Sequence, residues 1–300
     1  MSKQLSFQAV RTVQFFHPGG EYKQSADSGA MPWNEGPHHR KFLCADGDYV
    51  SKDERVVKSR LCFWGEWEPT SEFKKTGSSQ PPYYIHRPFV HDNEKAVGNR
   101  QNTDPFVFSD AFIYHCCQQT RKTGPSQLYR LAKGSVILFG SHVGNQFALD
   151  TVFVVDESRE YSTRNVISDL KDFVSPRDIE VAGIGHASYS GGCGGSCTPH
   201  TTPEGKPVHF RCYKGATFEN PVDGMYSFVP CRLSSSRNAT FERLMLTKDQ
   251  IHFISNEQKQ GFKSEQVVGT DQAKEVWKAV RDLCREKGFN EGLRFYYDKK

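Results

Sequence analysis

Aromatic and basic side chains that could stack on and hold a nucleic-acid base cluster in the first third of the chain. Stacking of a base on an aromatic ring contributes roughly 1–3 kcal/mol, and a carboxylate can accept a hydrogen bond from cytosine N4. The predicted nucleic-acid-binding residues are Trp33, Arg40, Lys41, Trp64, Glu66, Trp67, Tyr83, Tyr84 and Arg87. The alternative interpretation is that these tryptophans belong to a hydrophobic core, since large aromatic residues are mostly buried.

Titratable residues in the same region could instead perform general acid–base chemistry. Glu66 and Glu68 lie two residues apart, and the adjacent His38 and His39 precede Arg40. Carboxyl and imidazole groups are common proton donors and acceptors in catalysis when their pKa values suit the reaction. The alternative to a binding protein is therefore an enzyme, a hydrolase or transferase, that acts on nucleotides or bases through a Glu/His or a Cys/His site.

A glycine-rich segment carries the thiol and imidazole groups of the predicted metal site. Cys193, Cys197 and His200 follow a Cys-x3-Cys-x2-His spacing that could close on a zinc ion. The strongest zinc pattern, two Cys-x2-Cys pairs, is absent from the sequence. Two other interpretations stay open: Cys193 as a nucleophile with His186 or His200 as its base, and a glycine loop whose thiols have no role.

A further set of residue types, Asp104 with His115, Cys116 and Cys117, would suit nucleophilic chemistry if the fold brought them together. A catalytic triad is recognised by the mutual placement of its members, so sequence alone makes no assignment here.

The composition excludes some classes of protein. Of the 300 residues, 36% are hydrophobic and 13% aromatic, and the net charge is +4, which is too small to indicate a nucleic-acid or membrane partner by itself. No run of about 18 apolar residues occurs, so we expect no membrane partner. The N-terminal residues lack the pattern of a signal peptide, and the nine cysteines are an odd number. We therefore expect reduced thiols and a cytoplasmic protein.

Short apolar runs separated by turn residues predict many strands and few helices. Val136–Phe139 and Phe147–Val155 flank Gly144-Asn145, which is typical of a β-hairpin. Apolar residues between 273 and 284 recur at helical spacing, with Thr270 or Asp271 as the cap and Gly288 at the end. The predicted fold is α+β and mainly antiparallel, divided into a β-rich domain over 1–158 and an α+β region over 159–300, although the boundary is open and one domain is the alternative.

The hairpin also resembles a known family. Leu131 to Ser141 (LAKGSVILFGS), followed by a polar turn and Phe147 to Val155 (FALDTVFVV), is similar to the core of PUA-like domains, the ASCH, EVE and YTH group. Here Lys133-Gly134-Ser135 stands where those domains carry Gly-Asp. Residues 63–69, 102–108 and 220–230 also resemble blocks of a bacterial or phage family of unknown function. The resemblance implies a barrel-type core and binding of RNA or DNA, often with a modified base in an aromatic pocket; Trp64 and Trp67 would be its positions here.

These observations lead to a preferred hypothesis, a nucleic-acid or nucleotide-binding protein that recognises or processes a modified base. The enzyme above is the alternative, and an interaction protein whose aromatic patch meets another protein is a third. Oligomeric state and natural ligand are left open by the sequence.

Overall fold

Two mixed β-sheets contain most of the strands of the computed structural model. The structure describes residues 8–17, 28–35, 38–93, 100–121, 124–185, 207–235, 241–257, 261–267 and 269–300. Their strands are β1 (Arg11–Phe16), β2 (Ser28–Met31), β3 (Lys41–Val50), β4 (Val56–Gly65), β5 (Ser71–Lys75), β6 (Tyr84–Val90), β7 (Ile113–Tyr114), β8 (Thr120–Arg121), β9 (Gly124–Pro125), β10 (Val136–Val143), β11 (Gln146–Ser162), β12 (His209–Gly215), β13 (Val229–Leu233), β14 (Leu244–Leu246), β15 (Gly261–Gln266), β16 (Asn290–Tyr296) and β17 (Asp298–Lys299). The helices are α1 (Val166–Leu170), α2 (Pro176–Ala182) and α3 (Thr270–Glu286), with a short 3-10 helix at Gln127–Arg130. The predicted predominance of β-structure is confirmed.

The first sheet is built around the predicted hairpin. Strands β10 and β11 pair antiparallel from Val136↔Val154 to Val143↔Gln146, and Gly144 in the turn has a φ of 59°. The order of the sheet is β15-β1-β10-β11-β12-β7, with β14 also on β11 and with β1 parallel to β10. Strand β11 continues across residue 158, the predicted boundary between the two domains.

The second sheet has the order β16-β13-β4-β3-β6-β5-β2, with β17 on β6 and a further pairing of β16 with β3. Its longest ladder joins β3 and β4, from Lys41↔Gly65 to Val50↔Val56. Parallel pairs between β3 and β6 and between β6 and β17 make this sheet mixed as well. Strand β5 lies in a largely polar stretch of the sequence, where Phe73 packs against Met31 and Tyr84.

The predicted C-terminal helix is confirmed as α3. Its buried residues include Val276, Trp277 and Val280, and the indole N–H of Trp277 donates to the carbonyl oxygen of Tyr226 over 2.8 Å. Gly288 follows the helix with a φ of 73°, as a C′ glycine does. The predicted cap is wrong, since Gly269 is the N-cap and no side chain there accepts a hydrogen bond. None of the helices in the described ranges has the length and apolar character needed to cross a bilayer.

Candidate functional site

A buried carboxylate, Glu66, lies at the centre of a network of charged side chains. It directly follows β4, while His17 follows β1 and Arg40 precedes β3, so the ends of three strands bring these residues together. The Glu66 side chain is 1% exposed, and its two oxygens lie 2.7 Å from Nδ1 of His17 and 2.7 Å from Nδ1 of His38. Nη1 of Arg40 donates to Glu66 Oε2 over 2.8 Å. Such a cluster is retained in a folded protein only when its charges are paired.

Glu68 extends the network in one direction. The amide of Asn34 donates to Glu68 Oε2 over 2.6 Å, and the Lys41 ammonium lies 3.7 Å from the same oxygen. The Glu68 backbone N–H donates to Thr103 Oγ1 over 3.0 Å. The adjacent Trp33 donates its indole N–H to the carbonyl oxygen of Gln101 over 2.7 Å, which fixes the segment that carries Asn34.

Asp150 extends the network in the other direction, toward the surface. Nε of Arg40 lies 2.9 Å from Asp150 Oδ2, and Arg243 donates to Asp150 Oδ1. Three carboxylates, those of Glu66, Glu68 and Asp150, therefore lie beside the side chains of Arg40, Lys41 and Arg243.

The two histidines of the network differ in their preferred charge. Burial lowers the pKa of His17, and this effect outweighs the attraction of Glu66. Burial also opposes charge on His38, but Glu66 and Glu68 together raise the pKa of His38 well above its ordinary value. Burial would raise the pKa of Glu66, yet His38 and His17 hold it well below its usual range. The network therefore holds an ionised Glu66, a protonated His38 and a neutral His17 at neutral pH.

Asp104 anchors a neighbouring loop. Its carboxylate accepts backbone N–H groups from His115, Cys116 and Cys117 over 3.0, 3.0 and 2.8 Å. Burial raises the pKa of Cys116 to about 11, so this thiol stays protonated at neutral pH. Because a thiolate is the nucleophilic form, the geometry gives the Asp-His-Cys set a structural role.

Two groups of side chains in the described residues have donor atoms close enough to hold a metal ion: His38, Glu66 and Glu68, and Asp104, His115 and Cys116. In the first group Arg40 and Lys41 already pair with the carboxylates, and Asn34 donates a hydrogen bond to Glu68. In the second, the Asp104 oxygens already accept backbone N–H groups. Both donor sets thus already have protein partners. Cys193, Cys197, His200 and His186 lie outside the described residues.

An open groove of about 650 Å³ lies at the outer end of the network. Its walls combine the rings of Trp64 and Phe241 with Pro81, Met245 and the polar side chains of His142 and Arg243, among others. The Arg243 guanidinium lies 5.0 Å from the centroid of the Trp64 ring, which is within the range of a cation–π contact. Arg243 thus joins the groove to Asp150 and, through Arg40, to Glu66.

The structure does not bring the predicted nucleic-acid-binding residues together in one place. Arg40, Lys41 and Glu66 lie in the buried network, where Lys41 also donates to the carbonyl oxygen of Trp67. All three tryptophans are largely buried, but only Trp64 lines the groove, and the Trp67 N–H donates to the carbonyl oxygen of Thr70. Tyr83 and Tyr84 belong to the small cluster around Phe73, and the exposed Arg87 pairs with Asp298 on the surface.

Sequence reasoning missed His17, Asp150, Arg243 and Phe241. Asp150 had a usable signal, because it is a charged residue inside the apolar run from Phe147 to Val155 and a buried charge needs a partner. His17 and Arg243 had none, since their partners are distant in the sequence.

Comparison of the chain with protein-family models, with curated proteins and with solved structures gives no match.

Proposed function

We propose that the protein binds a nucleotide, or a base of a single-stranded nucleic acid, in the groove between Trp64, Phe241 and Arg243. The observation that carries this proposal is an exposed aromatic ring held in place beside a cation. Phe241 is 38% exposed, its ring makes an edge contact with Phe42 at 5.0 Å, and its carbonyl oxygen accepts the Trp64 indole N–H over 3.0 Å. A ring that is both exposed and held in this way is a platform for stacking.

The size and lining of the groove support the same ligand class. Ligand pockets have volumes of roughly 300–1,000 Å³ and combine apolar walls with a few polar groups, and the groove is about 650 Å³. Arg243 can contribute a cation near a base or a phosphate, while Asp150 orients its guanidinium. The resemblance to PUA-like domains adds the expectation that the base is a modified one.

A binding function has more support than an enzyme in which Glu66 and the histidines are the catalytic residues. The cavity that reaches Glu66, beside Arg40 and Asp150, has a volume of about 10 Å³. That is close to the space of a single water molecule, so a base cannot reach the carboxylate in this conformation. In this proposal the Glu66 network positions Arg243 through Arg40 and Asp150 and does not contact the ligand.

Fluorescence anisotropy with labelled single-stranded DNA and RNA, with and without 5-methylcytosine, tests the proposal, and unlabelled nucleotides serve as competitors. Phe241→Ala should weaken binding by roughly 5- to 150-fold, the equivalent of one lost base stack. Tyr296→Ala is the matched control, because Tyr296 is an equally exposed aromatic residue, at 38%, outside the groove. Binding should also weaken as salt increases.

Two results would overturn the proposal. One is the absence of binding by all of these probes, and the other is an equal effect of the Phe241 and Tyr296 substitutions. A stronger affinity for the methylated oligonucleotide would support the modified-base expectation, and equal affinities would contradict it.

The zinc prediction for Cys193, Cys197 and His200 has its own test. Native mass spectrometry should find zinc that is lost on denaturation and missing from Cys193→Ser. Zinc retained by that variant would assign the ion elsewhere, and His38→Gln would then test the group around Glu66.

A further inference from the structure

Two cysteines lie directly opposite each other on neighbouring strands. Cys44 of β3 pairs with Cys62 of β4, both are free thiols, and their sulfur atoms are 3.2 Å apart. Cys62 is buried, whereas Cys44 is partly exposed. A hydroperoxide can therefore approach Cys44 from solvent, and the Cys62 sulfur lies beside it.

The backbone already has the spacing of a disulfide. Opposed residues of an antiparallel pair have Cα atoms about 4.5 or 5.5 Å apart, and disulfides span Cα separations of roughly 4.4–6.8 Å. A bond of about 2.0 Å requires the sulfur atoms to approach by only about 1 Å. The neighbouring pair on the same face, Asp46↔Arg60, continues the ladder on one side of the cysteines, so no strand has to move out of register.

The surroundings of the two thiols differ from those of the other cysteines in the described residues. The hydrogen bond from Cys62, together with Arg60, lowers the pKa of Cys44 to about 6, against the effect of burial. The same hydrogen bond raises the pKa of Cys62. Burial raises the pKa values of Cys116, Cys212, Cys231 and Cys284, and a hydrogen bond with Cys116 together with burial raises that of Cys117. Among the cysteines that the structure describes, Cys44 is thus the one whose thiol is ionised at neutral pH.

We propose that Cys44 and Cys62 form a redox-active pair that a hydroperoxide converts into an intrachain disulfide. The Cys44 thiolate attacks the outer peroxide oxygen, the O–O bond breaks, and the products are a sulfenic acid on Cys44 and an alcohol, or water from hydrogen peroxide. Cys62 then loses its proton and attacks the Cys44 sulfur, the S–O bond breaks, and water leaves. Two thiols are oxidised by two electrons and one peroxide is reduced.

Residues that pack against Cys62 also reach the groove. Phe42 and Trp64, the opposed residues next along the same face, pack with Cys62 in one cluster, and Trp64 lines the groove. The oxidation proposal does not depend on what the groove binds.

Peptide mapping of the full chain after treatment with hydrogen peroxide and thiol alkylation tests the proposal. Lys52, Arg55, Lys58 and Arg60 let trypsin place Cys44 and Cys62 in different peptides, whereas Cys193 and Cys197 stay in one. The expected product is a crosslinked pair of peptides that separates on reduction. Hydrogen peroxide should oxidise the thiols of Cys44 and Cys62 at least about tenfold faster than the thiol of Cys116, since thiolate content dominates the difference in reactivity.

Single substitutions locate the order of events. Cys62→Ser should leave a sulfenic acid on Cys44 that dimedone traps, and Cys44→Ser should remove fast oxidation. Cys231→Ser is the matched control and should leave the crosslink unchanged. A wild-type map without the crosslinked peptides, at peroxide levels that oxidise other thiols, would overturn the proposal whether or not the variants fold. If dimedone labels Cys62 in Cys44→Ser but does not label Cys44 in Cys62→Ser, the order of the two cysteines is reversed and the mechanism is overturned.

Discussion

Replacement of Glu66 by glutamine tests whether the buried charge network stabilises the fold. Removing one partner of a buried ion pair costs about 3–5 kcal/mol when the other charge is left alone. Here Arg40 would keep Asp150 at 2.9 Å and His38 would keep Glu68 at 3.4 Å. We therefore expect the lower end of that range, a loss of about 3 kcal/mol in the free energy of unfolding at pH 6.

The loss should depend on pH. The raised pKa of His38 stabilises the fold fully below its unfolded value near 6.5, and that contribution is lost as the pH rises toward the folded pKa. Without the Glu66 charge, the pKa of His38 falls and the variant has less of this contribution to lose. The stability difference between wild type and variant should therefore shrink by about 1–2 kcal/mol from pH 6 to pH 8.

Urea denaturation followed by tryptophan fluorescence measures both effects. Glu72→Gln is the matched control, because Glu72 pairs with Lys300 and Arg87 while its side chain is 44% exposed. Surface pairs of this kind contribute about 0–1 kcal/mol. The reasoning fails if the two variants lose the same stability, or if the deficit of Glu66→Gln grows with pH.

Two further substitutions test parts of the fold around the site, again by urea denaturation. Asp104→Asn should cost about 2 kcal/mol, because hydrogen bonds to a charged acceptor contribute about 1.5–3 kcal/mol and the amide cannot accept all three N–H groups equally; an unchanged midpoint would show that the loop does not need the charge. Gly140→Ala should cost about 1–3 kcal/mol, since the new Cβ would overlap the carbonyl oxygen of Ala148 and the ring of Phe147, whereas a loss below about 0.5 kcal/mol would show that β11 adjusts freely.

Elements determined by neighbouring residues could be predicted from the sequence. The hairpin of β10 and β11 depends on two apolar runs and the Gly144-Asn145 turn, all within about 25 residues. Helix α3 depends on a local apolar period. The pairing of β1 with β15 could not be predicted, because partners such as Val13 and Ser264 are far apart in the sequence and no local pattern relates them.

The candidate site could be predicted only in part for the same reason. Sequence reasoning selected Arg40 and Glu66 for ligand binding by residue type, and Glu66 and Glu68 for acid–base catalysis in the alternative. Burial decides their role, and residue type does not reveal burial: Trp67 is 0% exposed, whereas Phe241 is 38% exposed. The groove itself requires β14 beside β11, a contact between distant segments.

The strand order also constrains synthesis of the chain on the ribosome. Strand β1 pairs with β15 and β3 pairs with β16, so neither sheet has all its strands until residues 261–266 and 290–296 have emerged. At about 5–20 residues per second, the unpaired edges of β1 and β3 stay open for on the order of 10–50 s. Open apolar edges are templates for association with other chains. We therefore expect a nascent chain to be open to association with other chains during this interval, and a chain truncated before residue 261 would lack a strand in each sheet.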